Sequence, residues 1–214
     1  TLLFSDRYGR IYSYDIDVII NNKENEPLVP TFLLGHLSII TQYIIHKYKN
    51  IEYIISSDIN STLRRSYLKQ PYVINTFYLG SKIPITDMII IDREDVGGNQ
   101  SQPIIISGGF NHTLILWNWE LGNILQEFTL DDVDIQQYHF VRRILYHPLN
   151  QEIYVLFTPS KKIYILQLID DHEHILRLKD TIIHENEIQD MFFINEHQEL
   201  LIIDENNVQL PQFY

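Results

Sequence analysis

Cysteine is absent from all 214 residues. That removes disulfide staples, thiol nucleophiles and thiolate metal sites, and it suits an intracellular protein. Cations are scarce as well: 16 Lys and Arg against 28 Asp and Glu leave a formal net charge of −12. A surface with that balance repels phosphate backbones in bulk, so any nucleic acid the chain serves must be gripped mainly by another subunit. No apolar run reaches the length of a membrane-spanning helix, and no membrane partner is expected. The sequence opens inside a strand-like segment, with no Met and no basic stretch before a signal-like apolar run, so it reads as the middle of a longer chain. A helix-borne His-Glu-x-x-His, a glycine-rich phosphate loop and a nucleophile elbow are also missing. Helical periodicity is nearly absent; only Asp131–Phe140 has the makings of a short helix, and its apolar spacing is poor.

What is present is a repeat. An apolar run, a small polar turn and a second apolar run return five times. They read Leu2-Leu3-Phe4 with Arg10-Ile11-Tyr12, Tyr53-Ile54-Ile55 with Thr62-Leu63-Arg64, and Ile104-Ile105-Ile106 with Thr113-Leu114-Ile115. Tyr154-Val155-Leu156 with Lys162-Ile163-Tyr164 and Leu200-Leu201-Ile202 with Asn207-Val208-Gln209 complete the set. Aligning Ile11, Leu63, Leu114, Ile163 and Val208 gives steps of 52, 51, 49 and 45 residues. A period of that size, all strand and no helix, predicts the blades of an all-β propeller. Hydrophobic residues make up 45% of the chain, enough for a substantial core, and the abundance of Ile favours strands.

The repeat is read as one propeller domain over residues 1–214, with loops or gaps near 18–30, 92–102 and 130–139. The first of these carries Asn21-Asn22-Lys23-Glu24-Asn25-Glu26-Pro27, too polar for a strand. The second, Asp92 to Ser101, is charged and glycine-containing and reads as an exposed loop. Leu33-Leu34-Gly35-His36 is expected to open the blade that continues through Ile39–Ile45, Ile51–Ile55, Leu63–Tyr67 and Tyr72–Tyr78. Five hairpins are fewer than a closed ring of the usual size needs, since an open array leaves apolar end faces.

His36 is placed to donate a ring hydrogen bond towards the following hairpin turn, where Asn60 sits; Gly80-Ser81 takes the same place in the next blade without a histidine. Asn60-Ser61-Thr62 and Asn111-His112-Thr113 are formal glycosylation acceptors, but both fall in tight turns and a turn role is simpler. Alternation sends Trp117 and Trp119 to one side, suited to packing between blades and less so to stacking a base. Asp171-His172-Glu173-His174 offers two histidines on one strand face, with no third ligand nearby. No pair of carboxylates can be assigned to a cleft, so no catalytic, cofactor or metal residue is named.

Arg142-Arg143 interrupts an acidic chain, and alternation puts the two on opposite faces. At least one should reach an edge, where a guanidinium pairs bidentately with a carboxylate of a partner or of this chain. Arg64, Arg65, Lys69, Lys161 and Lys162 are the remaining candidates for contacts with RNA phosphates.

Phe32-Leu33-Leu34-Gly35-His36-Leu37-Ser38 with Ile54-Ile55-Ser56-Ser57-Asp58, and the stretch from Ile105 to Asn123 with its Ser107-Gly108-Gly109 turn and Trp117-Asn118-Trp119-Glu120-Leu121-Gly122, look like WD-repeat blades. With the fifty-residue period they resemble the fungal non-catalytic WD-repeat subunit of the tRNA (guanine-N7) methyltransferase, over most of residues 1–170. The chain departs from the general repeat: Asn118 follows Trp117 where Asp is usual, and Asn60 or Asn111 stands for the turn aspartate. The resemblance implies a seven-bladed propeller that is not itself an enzyme. It would form a heterodimer with, and stabilise, a catalytic subunit that uses S-adenosylmethionine to make 7-methylguanosine in the variable loop of tRNA. It also implies a nuclear location, with the cytoplasm second, and a partner contact at Arg143 with Arg142 beside it. A generic WD-repeat interaction scaffold is the runner-up, and a propeller hydrolase the enzyme alternative.

Overall fold

The computed structural model describes residues 1–21, 27–93, 102–130, 139–169, 175–194, 199–205 and 208–209. Strands dominate them and fall into five antiparallel sheets. The first sheet joins β1 (Leu2–Ser5), β2 (Arg10–Tyr14) and β3 (Thr31–Gly35) in that order. The second runs β4 (Ile40–Tyr48), β5 (Ile51–Asp58), β6 (Leu63–Tyr67), β7 (Gln70–Tyr78), and the third β8 (Ile85–Ile91), β9 (Ile104–Gly109), β10 (Thr113–Asn118), β11 (Ile124–Thr129). The fourth is β12 (Phe140–His147), β13 (Glu152–Thr158), β14 (Lys162–Ile169), β15 (Ile175–Ile183); the fifth is β16 (Ile188–Ile194), β17 (Glu199–Asp204), β18 (Val208–Gln209). Each sheet is a meander of neighbours in sequence, the blade plan that the repeat predicts.

The reference positions Ile11, Leu63, Leu114, Ile163 and Val208 all lie near the start of the strand that closes the hairpin. The first four are fully buried. Continuous apolar runs arise because the middle strands are covered on both faces. In β13, Ile153, Val155 and Phe157 pack towards the third sheet, while Tyr154 and Leu156 pack towards the fifth. In β9, Ile104 and Ile106 join the core shared with the fourth sheet and Ile105 the core shared with the second. Four such cores stack the five sheets face to face, and the smallest, around Ile11, Leu34, Ile40 and Ile54, joins the first to the second. Each fully buried Ile or Leu contributes about 1.5–3 kcal/mol by leaving water.

Two segments differ from the sequence reading. Leu33-Leu34-Gly35 does not open the second blade; it closes the first, Leu34 lying opposite Ile11. The apolar run there is an outer strand, and His36 sits in the crossing to β4. Within the expected loop near 18–30, the chain forms a short helix, α1 (Ile16–Asn21). Asp15 caps it by accepting from the Asp17 N–H at 3.0 Å, and the Asn21 side chain donates to the Asp17 carbonyl at 2.8 Å. A helix of fewer than two turns is too short for a periodic signal. The candidate helix at Asp131–Phe140 and the histidines of 171–174 fall outside the described residues, apart from His139 and Phe140, which leads into β12 as its first residue.

Candidate partner-docking site

The first strands of the second to fifth sheets, β4, β8, β12 and β16, are the inner strands that face one another from sheet to sheet, and they share an irregularity. Each has an extra residue near its start: between Ile40 and Gln42, Ile85 and Asp87, Val141 and Arg143, and Ile188 and Asp190. A bulge of this kind re-aims the side chain that follows it. The re-aimed residues, Gln42, Asp87, Arg143 and Asp190, form a polar chain from sheet to sheet. Asp87 is buried and accepts from the Ile144 N–H at 2.6 Å, with the Gln42 amide and the Arg143 charge beside it. Burial outweighs these partners and raises its pKa to about 6. Arg143 grips Asp190 bidentately, Nε to Oδ1 at 3.0 Å and Nη2 to Oδ2 at 2.8 Å, and lies 5.0 Å from the Phe192 ring centroid. Although burial raises Asp190, the Arg143 hydrogen bonds and charge hold its carboxyl below the usual range.

The bulge also corrects the placing of Arg142 and Arg143 on opposite faces. Both reach Asp190, Arg142 through Nη2 at 3.3 Å. They differ in commitment: the Arg143 side chain is 30% exposed and doubly bonded, whereas that of Arg142 is 47% exposed with one long contact. Arg142 is therefore the cation with donors to spare. Arg143 lies opposite Leu156, which lies opposite Ile163, so Lys161 and Lys162 share this end of the fourth sheet with Arg142. Exposed Lys161 donates to the Glu185 carbonyl at 2.7 Å, and Lys162 is half-buried.

The other basic candidates are not brought together. Arg65 is 1% exposed, its guanidinium 4.1 Å from the Trp119 ring centroid and bonded to Asn75 and Thr76. An arginine enclosed in this way offers no phosphate contact. Arg64 donates to the Gly35 carbonyl at 2.7 Å and is half-buried. Lys69 is exposed but follows the end of β6, at the opposite end of the strands from Lys161.

Around His36 the structure builds a fixed group. The ring Nδ1 lies 2.8 Å from Asp58 Oδ2 and Nε2 2.7 Å from Ser56 Oγ. Burial and nearby Arg64 lower the His36 pKa against the pull of Asp58, which favours the neutral ring. A carboxylate only accepts, so Nδ1 carries the proton and Nε2 accepts from the Ser56 hydroxyl. The turn's organising acid is Asp58 rather than Asn60: it also takes the N–H groups of Asn60 and Thr62 at 2.9 and 3.0 Å. In the fifth sheet His184 and Asp204 occupy the equivalent places at 3.7 Å. Trp117 and Trp119 are both buried in the core between the second and third sheets, and Trp117 donates to Ser107 Oγ at 2.8 Å. Asn111 adopts φ +74° in its turn.

Sequence reading missed Gln42, Asp87, Asp190 and the His184–Asp204 pair. A signal was present: Ile-Thr-Gln, Ile-Thr-Asp, Val-Arg-Arg and Ile-Gln-Asp recur once in each of the second to fifth sheets, a β-branched residue and two polar ones at the start of each inner strand. Among the described residues, no group of three or more His, Asp or Glu stands together as a metal site.

These features agree with comparisons to known proteins. Residues 1–212 match the family described as the tRNA methyltransferase TRM82 WD40 domain. A relative from Vanderwaltozyma polyspora, named as a tRNA (guanine-N(7)-)-methyltransferase non-catalytic subunit, is 25% identical over 62% of this chain and 27% of its own length. One of the same name from Meyerozyma guilliermondii is 28% identical over 62% of this chain and 29% of its own. The zebrafish (Danio rerio) non-catalytic subunit is 23% identical over 98% of this chain and 48% of its own length. The chain thus spans less than half the length of these curated relatives. The C-terminal WD40 domain of Sif2 superposes with a TM-score of 0.65 at 15% identity, covering 98% of this chain and 54% of that one, which establishes a likeness of fold. With its five meander sheets and the match across residues 1–212, the chain belongs to the tRNA methyltransferase TRM82 WD40 domain family.

Proposed function

We propose that this chain serves as the non-catalytic scaffold of a tRNA (guanine-N7) methyltransferase. In this reading it binds and stabilises a separate S-adenosylmethionine-dependent subunit in a heterodimer. The observation that carries the reading is the family match over residues 1–212, joined to relatives named as non-catalytic subunits of that enzyme. Methyl transfer belongs to the partner: guanine N7 attacks the donor methyl carbon and leaves a cationic base. The scaffold's part is to hold the partner in position, so losing it abolishes activity without removing a reacting group. With a net charge of −12, the chain leaves most of the tRNA contact to the partner. The nucleus is the expected compartment, that of the resembled family.

Docking at the end of the fourth sheet fits this role, with Arg142 donating to a partner carboxylate while Arg143 stays locked to Asp190. Arg142→Glu should weaken binding to the catalytic subunit by about tenfold, or ~1.4 kcal/mol, measured by calorimetry. Arg143→Glu is the poorer probe, because it turns a half-buried ion pair into a repulsion and disturbs the fold. Unchanged affinity for Arg142→Glu would remove this end of the sheet from the interface. Failure of the unmodified chain to bind any catalytic subunit or to raise its activity would remove the scaffold role.

A further inference from the structure

His112 and His139 stand apart from the docking site, where the β9–β10 turn meets the entry to β12. Their ring centroids are 5.4 Å apart with the planes tilted by 54°. His139 is 7% exposed, and neither of its ring nitrogens has a hydrogen-bond partner; His112 Nδ1 is likewise buried and unpartnered. Unsatisfied buried polar atoms are rare in native proteins, and an ion or water is a standard explanation. The backbone holds the two rings in place from several sides. Asn111 N–H donates to the His139 carbonyl at 3.4 Å, Leu130 N–H to the His112 carbonyl at 3.1 Å, and Phe110 and Phe140 form a bridge.

The separation suits coordination. Imidazole nitrogens bind zinc at about 2.0 Å, which places each ring centroid about 3.2 Å from the metal and two such centroids about 5 Å apart at a tetrahedral angle. We propose that His112 and His139 form an open two-histidine site for a divalent transition ion of the zinc type, completed by water. Such an ion would clip the third sheet's hairpin turn to the fourth sheet. Among the described residues the donors are two imidazole nitrogens with no carboxylate beside them, a set that favours zinc, cobalt or nickel over calcium or magnesium. Simple ring packing accounts for the contact but leaves three buried nitrogens without partners.

Titration of the full chain with Co²⁺, followed by the visible absorption of the bound ion, and with Zn²⁺ by calorimetry tests this. The expected result is one ion per chain at micromolar affinity and a melting temperature raised by a few degrees in excess metal. His112→Asn, which keeps a residue at home at the φ of +47°, should weaken binding by at least about tenfold. His139→Gln should do the same, while His172→Gln with His174→Gln should change nothing. In the unmodified protein, zinc should move the imidazole NMR signals of His112 and His139 and no other pair, a readout independent of how the variants fold. Absence of binding at millimolar metal, affinity unchanged in His112→Asn, or shifts confined to His172 and His174 would each overturn the site.

Discussion

The second and third sheets follow one strand plan but are pinned by different residues. In the second, Asp58 at the hairpin turn gathers His36, two backbone N–H groups and, through His36, Ser56. In the third, Gly109 stands in the register of Asp58, each opposite the first residue of its inner strand. The position of His36 is taken by Ser81, and the serine equivalent to Ser56, Ser107, instead accepts from Trp117. One blade is tied at its turn by a carboxylate and a histidine, the other in its middle by an indole. The lesson is that what repeats is the need to satisfy buried polar atoms at the hairpin, while the residues that satisfy it change from blade to blade.

Installing the second sheet's acid in the third breaks this comparison most severely. A Cβ on Gly109 would lie 1.8 Å from the Pro84 carbonyl oxygen, which is backbone and cannot swing aside. Gly109→Asp, and even Gly109→Ala, should therefore prevent cooperative folding or lower stability by more than ~4 kcal/mol. Gly35→Ala, in the first sheet, makes a control: its Cβ would meet nothing closer than 3.7 Å. Circular dichroism melts that showed Gly109→Ala as stable as Gly35→Ala would refute the close approach.

Removing the acid from the second sheet should come next in size. Asp58→Ala strands the His36 Nδ1–H and two backbone donors in a site where the carboxylate side chain is 2% exposed. The cost should be about 3 kcal/mol, roughly 6–12 °C in melting temperature for a chain of this length. A double-mutant cycle with His36→Ala should give a coupling of about 1 kcal/mol or more. Additive effects would mean that the histidine and the acid do not act together.

The blade plan was legible because two-sided burial writes itself as apolar runs such as Ile104-Ile105-Ile106, bracketed by turn residues at a steady period. His36, too, could be singled out at a blade entry. The inner-strand bulges were legible only by comparing strands, as a β-branched residue and two polar ones recurring in four sheets; Val141-Arg142-Arg143 alone does not show that one inserted residue reverses which way a guanidinium points. Arg65 was misjudged for a related reason: its partners Trp119 and Tyr53 come from different sheets, so its burial is set by a contact between blades. Asp58 stands out in the sequence as part of a WD-like Ser57-Asp58 pair, but the turn role is read at Asn60 because sequence spacing cannot tell which of two turn residues aims inward.

The last contrast between these sheets is one of charge. Gln42 and Asp87 occupy the same post-bulge place, one neutral, the other an acid whose pKa is raised to about 6 by burial. For an acid raised above its unfolded value of 3.8, the folded state holds the proton longer than the unfolded state does. Its contribution to stability is therefore complete below about pH 4 and is lost as pH rises through about 6. Asp87→Asn makes the third sheet neutral here, as the second is, and should remove that slope. Between pH 4 and 7 the stability of the unmodified chain should fall relative to Asp87→Asn by about 2 kcal/mol, measured by urea unfolding. Asp190, whose lowered pKa acts in the opposite direction, is present in both proteins and drops out of the difference. Parallel pH profiles for the two proteins would mean that Asp87 ionises as freely as an exposed carboxyl. The polar chain from Gln42 to Asp190 would then be open to water at that point.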